Sequence, residues 1–261
     1  MPRRPVSPSA TPLLLLGLLG APLAAQGPSR QLEAAAFYHR VTNGFGDWTG
    51  ATARLTLQGA GHVWYVDARA QRAFRDEGMY GALTHVRDLS DRVYVSAGLG
   101  AGTGAFALPA FRGDASLHWK LGRARRVVLT TGGTYVRARQ SFEDVAAAAA
   151  LTWYASGTAV LELGGRLNWS YPGAVRTGRI LASATLGRPG GRTVLLRGGA
   201  GREGYQLTGA TQTLRRFSSR EAEALWREPL GRGWSVLLGG TWYHNPFYDR
   251  AGGSLGLAYA W

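Results

Sequence analysis

The chain closes on "GSLGLAYAW", residues 253–261, and the alternation in that stretch decides how the rest is read. Leu255, Leu257, Tyr259 and Trp261 fall on one face of an extended strand; Ser254, Gly256, Ala258 and Ala260 fall on the other. A period of two belongs to strands, so this large–small alternation excludes a helix. In a soluble sandwich the large face would be core, and in a membrane barrel it would meet lipid.

Stopping on an aromatic residue favours lipid. The stretch resembles the C-terminal signal that outer-membrane barrels present to their assembly machinery. Leu257, Tyr259 and Trp261 are therefore the expected assembly signal, with the barrel-assembly machinery as a partner. The opposite end agrees. "MPRRPVSPSATPLLLLGLLGAPLAAQG" carries Arg3 and Arg4, an apolar run from Leu13 to Leu19, and small residues Ala21, Ala24 and Ala25. That is the layout of a cleaved secretory signal peptide over residues 1–25, and the run is short of the roughly 20 residues a spanning helix needs. Residues 26–261 then form one exported domain. There is no cysteine, which excludes a lipid-anchored form, disulfide staples and thiolate metal sites.

Between the two ends, period-2 segments recur and no helical period is sustained. In "GTAVLELGGRLNW", Leu161, Leu163, Leu167 and Trp169 oppose Glu162, Arg166 and Asn168. Fourteen such segments can be marked, beginning near residues 32, 48, 62, 79, 92, 111, 126, 144, 158, 175, 192, 219, 233 and 253, with twelve as the alternative count. Links after even-numbered segments are short ("GAG", "SD", "GRAR", "ASG", "RPGG", "PLGR"). Those after odd-numbered segments are mostly longer, among them "VTNGFGD", "AFRDEG", "GTGAFALPA" and "GYQLTGATQTLRRFS". Sorting of loop length by parity is the asymmetry of an outer-membrane barrel with short periplasmic turns and longer outer loops. Aromatics near segment ends fit two interfacial belts: Trp48, Trp64, Tyr80, Tyr94, Trp119, Tyr135, Trp153, Trp169, Trp242 and Tyr259. The expected fold is all-β, a transmembrane antiparallel up-and-down barrel, closed because lipid leaves no water to satisfy a free sheet edge.

"FALPAFRGDASLHWKLG" (106–122), "VVLTTGGTYVRAR" (127–139), "DVAAAAALTWY" (144–154) and "LLRGGAGREGYQL" (195–207) resemble the YaiO family of outer-membrane barrels. In that family a Leu-Pro loop, here Leu108-Pro109, opens a strand with alternating polar residues. The resemblance spans most of the mature chain through spaced glycines and aromatics. It implies a membrane barrel in the outer membrane and a link to envelope polysaccharide.

The alternation also lists what should face the lumen: Arg54, Asp67, Arg69, Arg112, Asp114, His118, Lys120, Glu162, Arg166, Arg179, Arg197, Glu203, Glu221, Glu223 and Arg227. Bases exceed acids in this set. Either these groups line a water-filled pore that favours small or polysaccharide-like anionic solutes, or they pair across a narrow lumen as a plug. Fourteen strands lie between small filled barrels and wide porins, so strand count does not choose. In "FRGDASLHWKL" (111–121), Asp114 and His118 sit about 13 Å apart along an extended strand, too far to share a metal. No metal or cofactor is expected.

Of the histidines at 39, 62, 85, 118 and 244, none forms the Ser-His arrangement of a barrel lipase, so a non-enzymatic protein is expected. "GAGREG" (199–204) lacks nucleotide-loop spacing and a following helix, and reads as glycines making room between side chains. Lys+Arg number 30 against 16 acids, and losing Arg3 and Arg4 leaves 28 against 16. Export makes nucleic acid an unsuitable partner for that excess. Outer-membrane lipid and lipopolysaccharide phosphate fit better, through expected outer-loop arginines at 75, 139, 215, 216, 220 and 250.

Overall fold

The computed structural model describes residues 29–103, 108–138, 142–207 and 213–261; the expected signal peptide lies outside them. Fourteen strands among these residues form one closed barrel. They are β1 (Ser29–Val41), β2 (Trp48–Gly59), β3 (His62–Ala73), β4 (Asp76–Asp88), β5 (Val93–Gly102), β6 (Phe111–Leu121) and β7 (Val127–Arg137). There follow β8 (Glu143–Ser156), β9 (Ala159–Tyr171), β10 (Val175–Gly187), β11 (Thr193–Leu207), β12 (Thr213–Gly231), β13 (Trp234–His244) and β14 (Asp249–Ala260). Each strand pairs antiparallel with its sequence neighbours, and β1 with β14.

The seam between first and last strands is continuous from Gln31↔Ala260 to Val41↔Arg250. Arg30 and Trp261 extend it, each amide donating to the other's carbonyl at 3.2 and 3.0 Å. The start of β1 and the end of β14 therefore lie at one end of the barrel, called the near end below. At the far end the seam is tied down by loop contacts: Thr42 donates its amide to the Asp249 carbonyl (3.0 Å) and accepts the Asp249 amide on its hydroxyl (2.8 Å). Asp47, in the β1–β2 loop, accepts from the Tyr38 hydroxyl and from the Val41 amide. Those two donors hold its carboxyl below the usual aspartate range.

Along the strands burial alternates. The outward positions carry exposed apolar residues such as Leu83, Leu99, Leu163, Ile180, Leu238 and Leu255. A protein in water would rarely leave so continuous an apolar belt uncovered. Of the aromatics expected in the belts, Trp153, Trp242 and Tyr259 are exposed on this face, but Trp48, Tyr80 and Tyr94 are buried inside. Their phase explains the correction: Trp48 pairs with His39, Tyr80 with Arg69 and Tyr94 with His118, all on the inner wall. The two longest links, 42–47 and 103–110, are at the far end, yet much expected loop sequence extends the strands. Residues 76–79, 213–219 and 249–252 are strand, and the β3–β4 and β9–β10 links shrink to 74–75 and 172–174. Positive φ at Phe74 and Arg75 makes the former a tight turn.

Ile180 is 65% exposed at the middle of β10, and Ala148 lies at similar height on the inner wall. Ile180→Arg should lower refolding stability in lipid vesicles by about 2–4 kcal/mol, the cost of a cation on the lipid face near the midplane. Ala148→Gln should stay near the parent; denaturant titration reads both.

Candidate functional site

The strands place all the sequence-derived polar set on the inner wall: Arg54 on β2; Asp67 and Arg69 on β3; Arg112, Asp114, His118 and Lys120 on β6; Glu162 and Arg166 on β9. Arg179 follows on β10, Arg197 and Glu203 on β11, and Glu221, Glu223 and Arg227 on β12. Further charges on the same wall include Glu33, Asp88, Asp144 and Arg250. With these the set no longer has a basic excess. Eight bases plus Arg250 meet six acids plus Glu33, Asp88 and Asp144, nine of each. The positive balance of the chain is carried outside this set. The missed residues had weak signals. Glu33 sits in "LEAAAFY", where both faces are small or apolar; Asp88 and Asp144 stand at strand ends, where few residues show the alternation; and Arg250 lies in a run that reads as loop.

Most of these charges are paired. Arg54 donates to Asp67 through two nitrogens (2.6 and 3.2 Å), and Arg227 reaches past β13 and β14 to Glu33. Arg179 lies between Glu203 (2.7 Å) and Glu221 (3.1 Å), Arg112 donates to Asp114 (2.9 Å), and Arg197 and Glu223 meet at 3.5 Å. Lys120 and Asp88 are 3.6 Å apart at the near end. Neutral donors finish the carboxylates. Ser170 and Asn168 donate to Asp144, Thr152 to Glu162, and Ser219 and Tyr243 to Glu203. The glycines of "GAGREG" make room for this lattice: a Cβ at Gly201 would strike Arg179, and one at Gly199 would crowd Leu181 and Glu221. Partly buried pairs of this kind fix geometry more than they add stability, and removing one partner is the costly change.

The Asp114/His118 pair is now accounted for. His118 stacks on Tyr94 (4.2 Å, 2° between planes), with Nε2 against the Ser96 hydroxyl (3.0 Å) and Nδ1 against that of Thr130 (2.8 Å). Asp114 is turned to Arg112. Both imidazole nitrogens are engaged with hydroxyls, and the ring is a wall stone near the second inner cluster, Val63, Val86, Tyr94 and Val128.

The lumen is uneven in cross-section. At the far end, on the β13–β14–β1–β2–β3 side, Trp48, Tyr243, Tyr248, Val41 and Ala73 form a buried cluster, with Phe45, Phe74 and Phe247 from the loops packed on it. Across the barrel the mid-height inner positions of β7 and β8 are small and uncharged: Thr130, Gly132, Thr134, Ala146, Ala148 and Ala150. Ala148, paired with Gly132 and Arg166, is exposed although it faces inward. Solvent-accessible space therefore exists inside the barrel at mid-height, beside this bare strip.

Of the arginines expected in outer loops, Arg75 donates to the Gly44 carbonyl (3.2 Å), and Arg216 and Arg220 are exposed on β12. Arg139 and the side chain of Arg215 lie outside the described residues. Arg250 is a correction: it opens β14 facing inward, its guanidinium 4.1 Å from the Trp48 ring and 5.3 Å from that of Tyr243.

Several solved barrels share this architecture at very low sequence identity. A CymD monoaromatic hydrocarbon channel superposes with TM-score 0.56 and 9% identity, over 90% of this chain and 88% of that one. An outer membrane channel from Pseudomonas putida F1 gives 0.54 and 11%, over 91% and 96%. A bacterial polysaccharide outer membrane secretin gives 0.51 and 6%, over 90% and 98%. These are likenesses of fold. No curated protein matches the chain. The model of the YaiO membrane beta barrel domain matches residues 29–206, most of the closed barrel described above, and the chain belongs to that family of outer-membrane β-barrels.

Proposed function

We propose that this protein is a non-enzymatic outer-membrane channel, a passive path for small or polysaccharide-like anionic solutes. The observation that carries the reading is the exposed inner face at Ala148: a lumen packed shut by side chains would bury it. The polar wall supplies hydrogen-bonding groups at all heights, as a hydrated path needs. Arg166 gives the path its sign. Its guanidinium stands on the strand next to Ala148 and donates only to the Asn168 amide oxygen, at 3.4 Å, with no carboxylate in ion-pair reach among the described residues.

A structural barrel with a plugged lumen is the second reading, and the ion-pair lattice from Arg54–Asp67 to Arg227–Glu33 favours it. An acyl-lipid enzyme is the weakest: Ser96 and His118 are hydrogen-bonded but buried in the wall, away from the lipid rim. Two further partners belong to the proposal. Exposed arginines of the far rim, including Arg216 and Arg220, would pair with lipopolysaccharide phosphate. The face of Leu257, Tyr259 and Trp261 would be read by the assembly machinery, with the leader of residues 1–25 removed on export.

Refolded protein in planar bilayers should give discrete conductance steps, and their absence would sink the channel reading in favour of the plug. Ala148→Trp should lower the step size sharply by filling the space beside β8. Arg166→Glu should shift the reversal potential in a salt gradient toward cation preference; an unchanged potential would remove Arg166 from the path. Deleting Trp261, which also removes two backbone hydrogen bonds to Arg30, should reduce the fraction of chains assembled in the outer membrane, read by heat-dependent gel migration.

A further inference from the structure

On the inner wall of β14, β1, β2 and β3, just below the aromatic mouth, two arginines break the pairing rule of the lumen. Arg69 and Arg250 have no carboxylate within ion-pair distance among the described residues, and each has its Nε buried without a hydrogen-bond partner. The Trp48 indole nitrogen, against which Arg250 stacks, is likewise a buried donor without a partner. Aromatic rings do hold the two cations: Arg250 lies over Trp48, and Arg69 is 5.0 Å from the Phe37 ring. A ring covers only the face of a guanidinium, however, and its five N–H donors point out of the edge. Those donors are what an ion pair would have used. The two rings that hold them lie on the paired strands β1 and β2, Phe37 opposite Gly50 and Trp48 opposite His39, two residues apart on one face. Both side chains stay part-exposed to the lumen.

The surrounding wall is built to hold this arrangement. Phe37 is paired with Gly50 and His39 with Gly252, and a Cβ at either glycine would run into the ring opposite. The two rings thus lie flat against the sheet and leave the volume in front of them to the arginines. His39 is anchored by its Nε2 to the Thr241 hydroxyl at 3.3 Å. Buried donors without an acceptor, beside guanidiniums without an ion-pair partner among the described residues, suit an oxyanion.

We propose that Arg69 and Arg250 form a binding site for an oxyanion, the carboxylate or phosphate group of a solute, inside the far mouth of the barrel. The guanidinium edges would bind the oxyanion, and the aromatic cluster would exclude water from it and strengthen those bonds. The site rests on the channel reading for its purpose, since it stands where an entering solute would first meet unpaired charge, but its existence can be tested without conduction.

The test is calorimetric titration of the full refolded chain in detergent micelles with glucuronate, glucose 1-phosphate and glucose. Either or both anionic sugars should bind, the stronger naming the preferred group, and glucose should not. Arg69→Gln and Arg250→Gln should each weaken binding by about tenfold or more, the loss of a charge-assisted hydrogen bond. Arg72→Gln, on the outer face of β3, should leave it unchanged. The parent titration needs no variant, so a folding defect in one cannot shield the proposal. Equal heats for glucose and glucuronate, no heat for either anion, or parent-like binding by correctly folded Gln variants would overturn it. Binding without conductance in bilayers would keep the site and remove the channel; conductance without binding would do the reverse.

Discussion

Everything in this molecule depends on the closure of a sheet that has no water to fall back on. A strand edge inside a bilayer would leave a row of amides and carbonyls unpaired at several kcal/mol each. The β1–β14 seam removes that edge, and its last rung joins Arg30 to Trp261. Closure fixes the inward and outward faces all round, because each strand's register is set by its neighbours and a slip of one residue would invert its faces. The charges then have no choice: on the outer face they would meet hydrocarbon, so they are gathered in the lumen and must find one another there.

How they do so separates this wall from an open porin surface. Each carboxylate is answered by an arginine, a lysine or hydroxyl and amide donors, often from two strands at once, as at Glu203 between Arg179, Ser219 and Tyr243. Glycines on β11 and small residues on β7 and β8 set where long side chains can lie and where none reach. Against this background an arginine without a partner is conspicuous. Among the described residues, Arg69, Arg166 and Arg250 are the inner-wall arginines that no carboxylate meets in a direct ion pair.

Much of this was legible in the sequence, and for identifiable reasons. Period 2 is a strong signal where one face is apolar and the other charged, so β6 and β9 could be assigned residue by residue. It fails where both faces are small: the phase of "LEAAAFY" is ambiguous, and Glu33 went unseen. It also fails at strand ends, where few residues show the alternation, which hid Asp144, and where a charged or glycine-rich run reads as loop, which moved Arg250 from the lumen to the rim. Aromatics were misassigned for a third reason. Trp48, Tyr80 and Tyr94 look like belt residues by position along the chain, but their face is decided by pairing with His39, Arg69 and His118 on other strands. Charge balance is likewise a property of the closed wall and could not be summed until every strand's phase was known.

The unequal walls of the lumen have a mechanical side. Along β7 and β8 the boundary is set almost by backbone alone, which a hydrogen-bonded sheet holds rigid. Facing it are arginine side chains with many rotamers, held by ion pairs that can be exchanged for others nearby. If solutes pass as proposed, such a lumen would act like a caliper, with one fixed jaw and one that yields. Its limit on size would be soft rather than sharp: a larger body would have to break ion pairs one at a time, so the threshold would rise with temperature and with ionic strength while the sheet itself kept its shape.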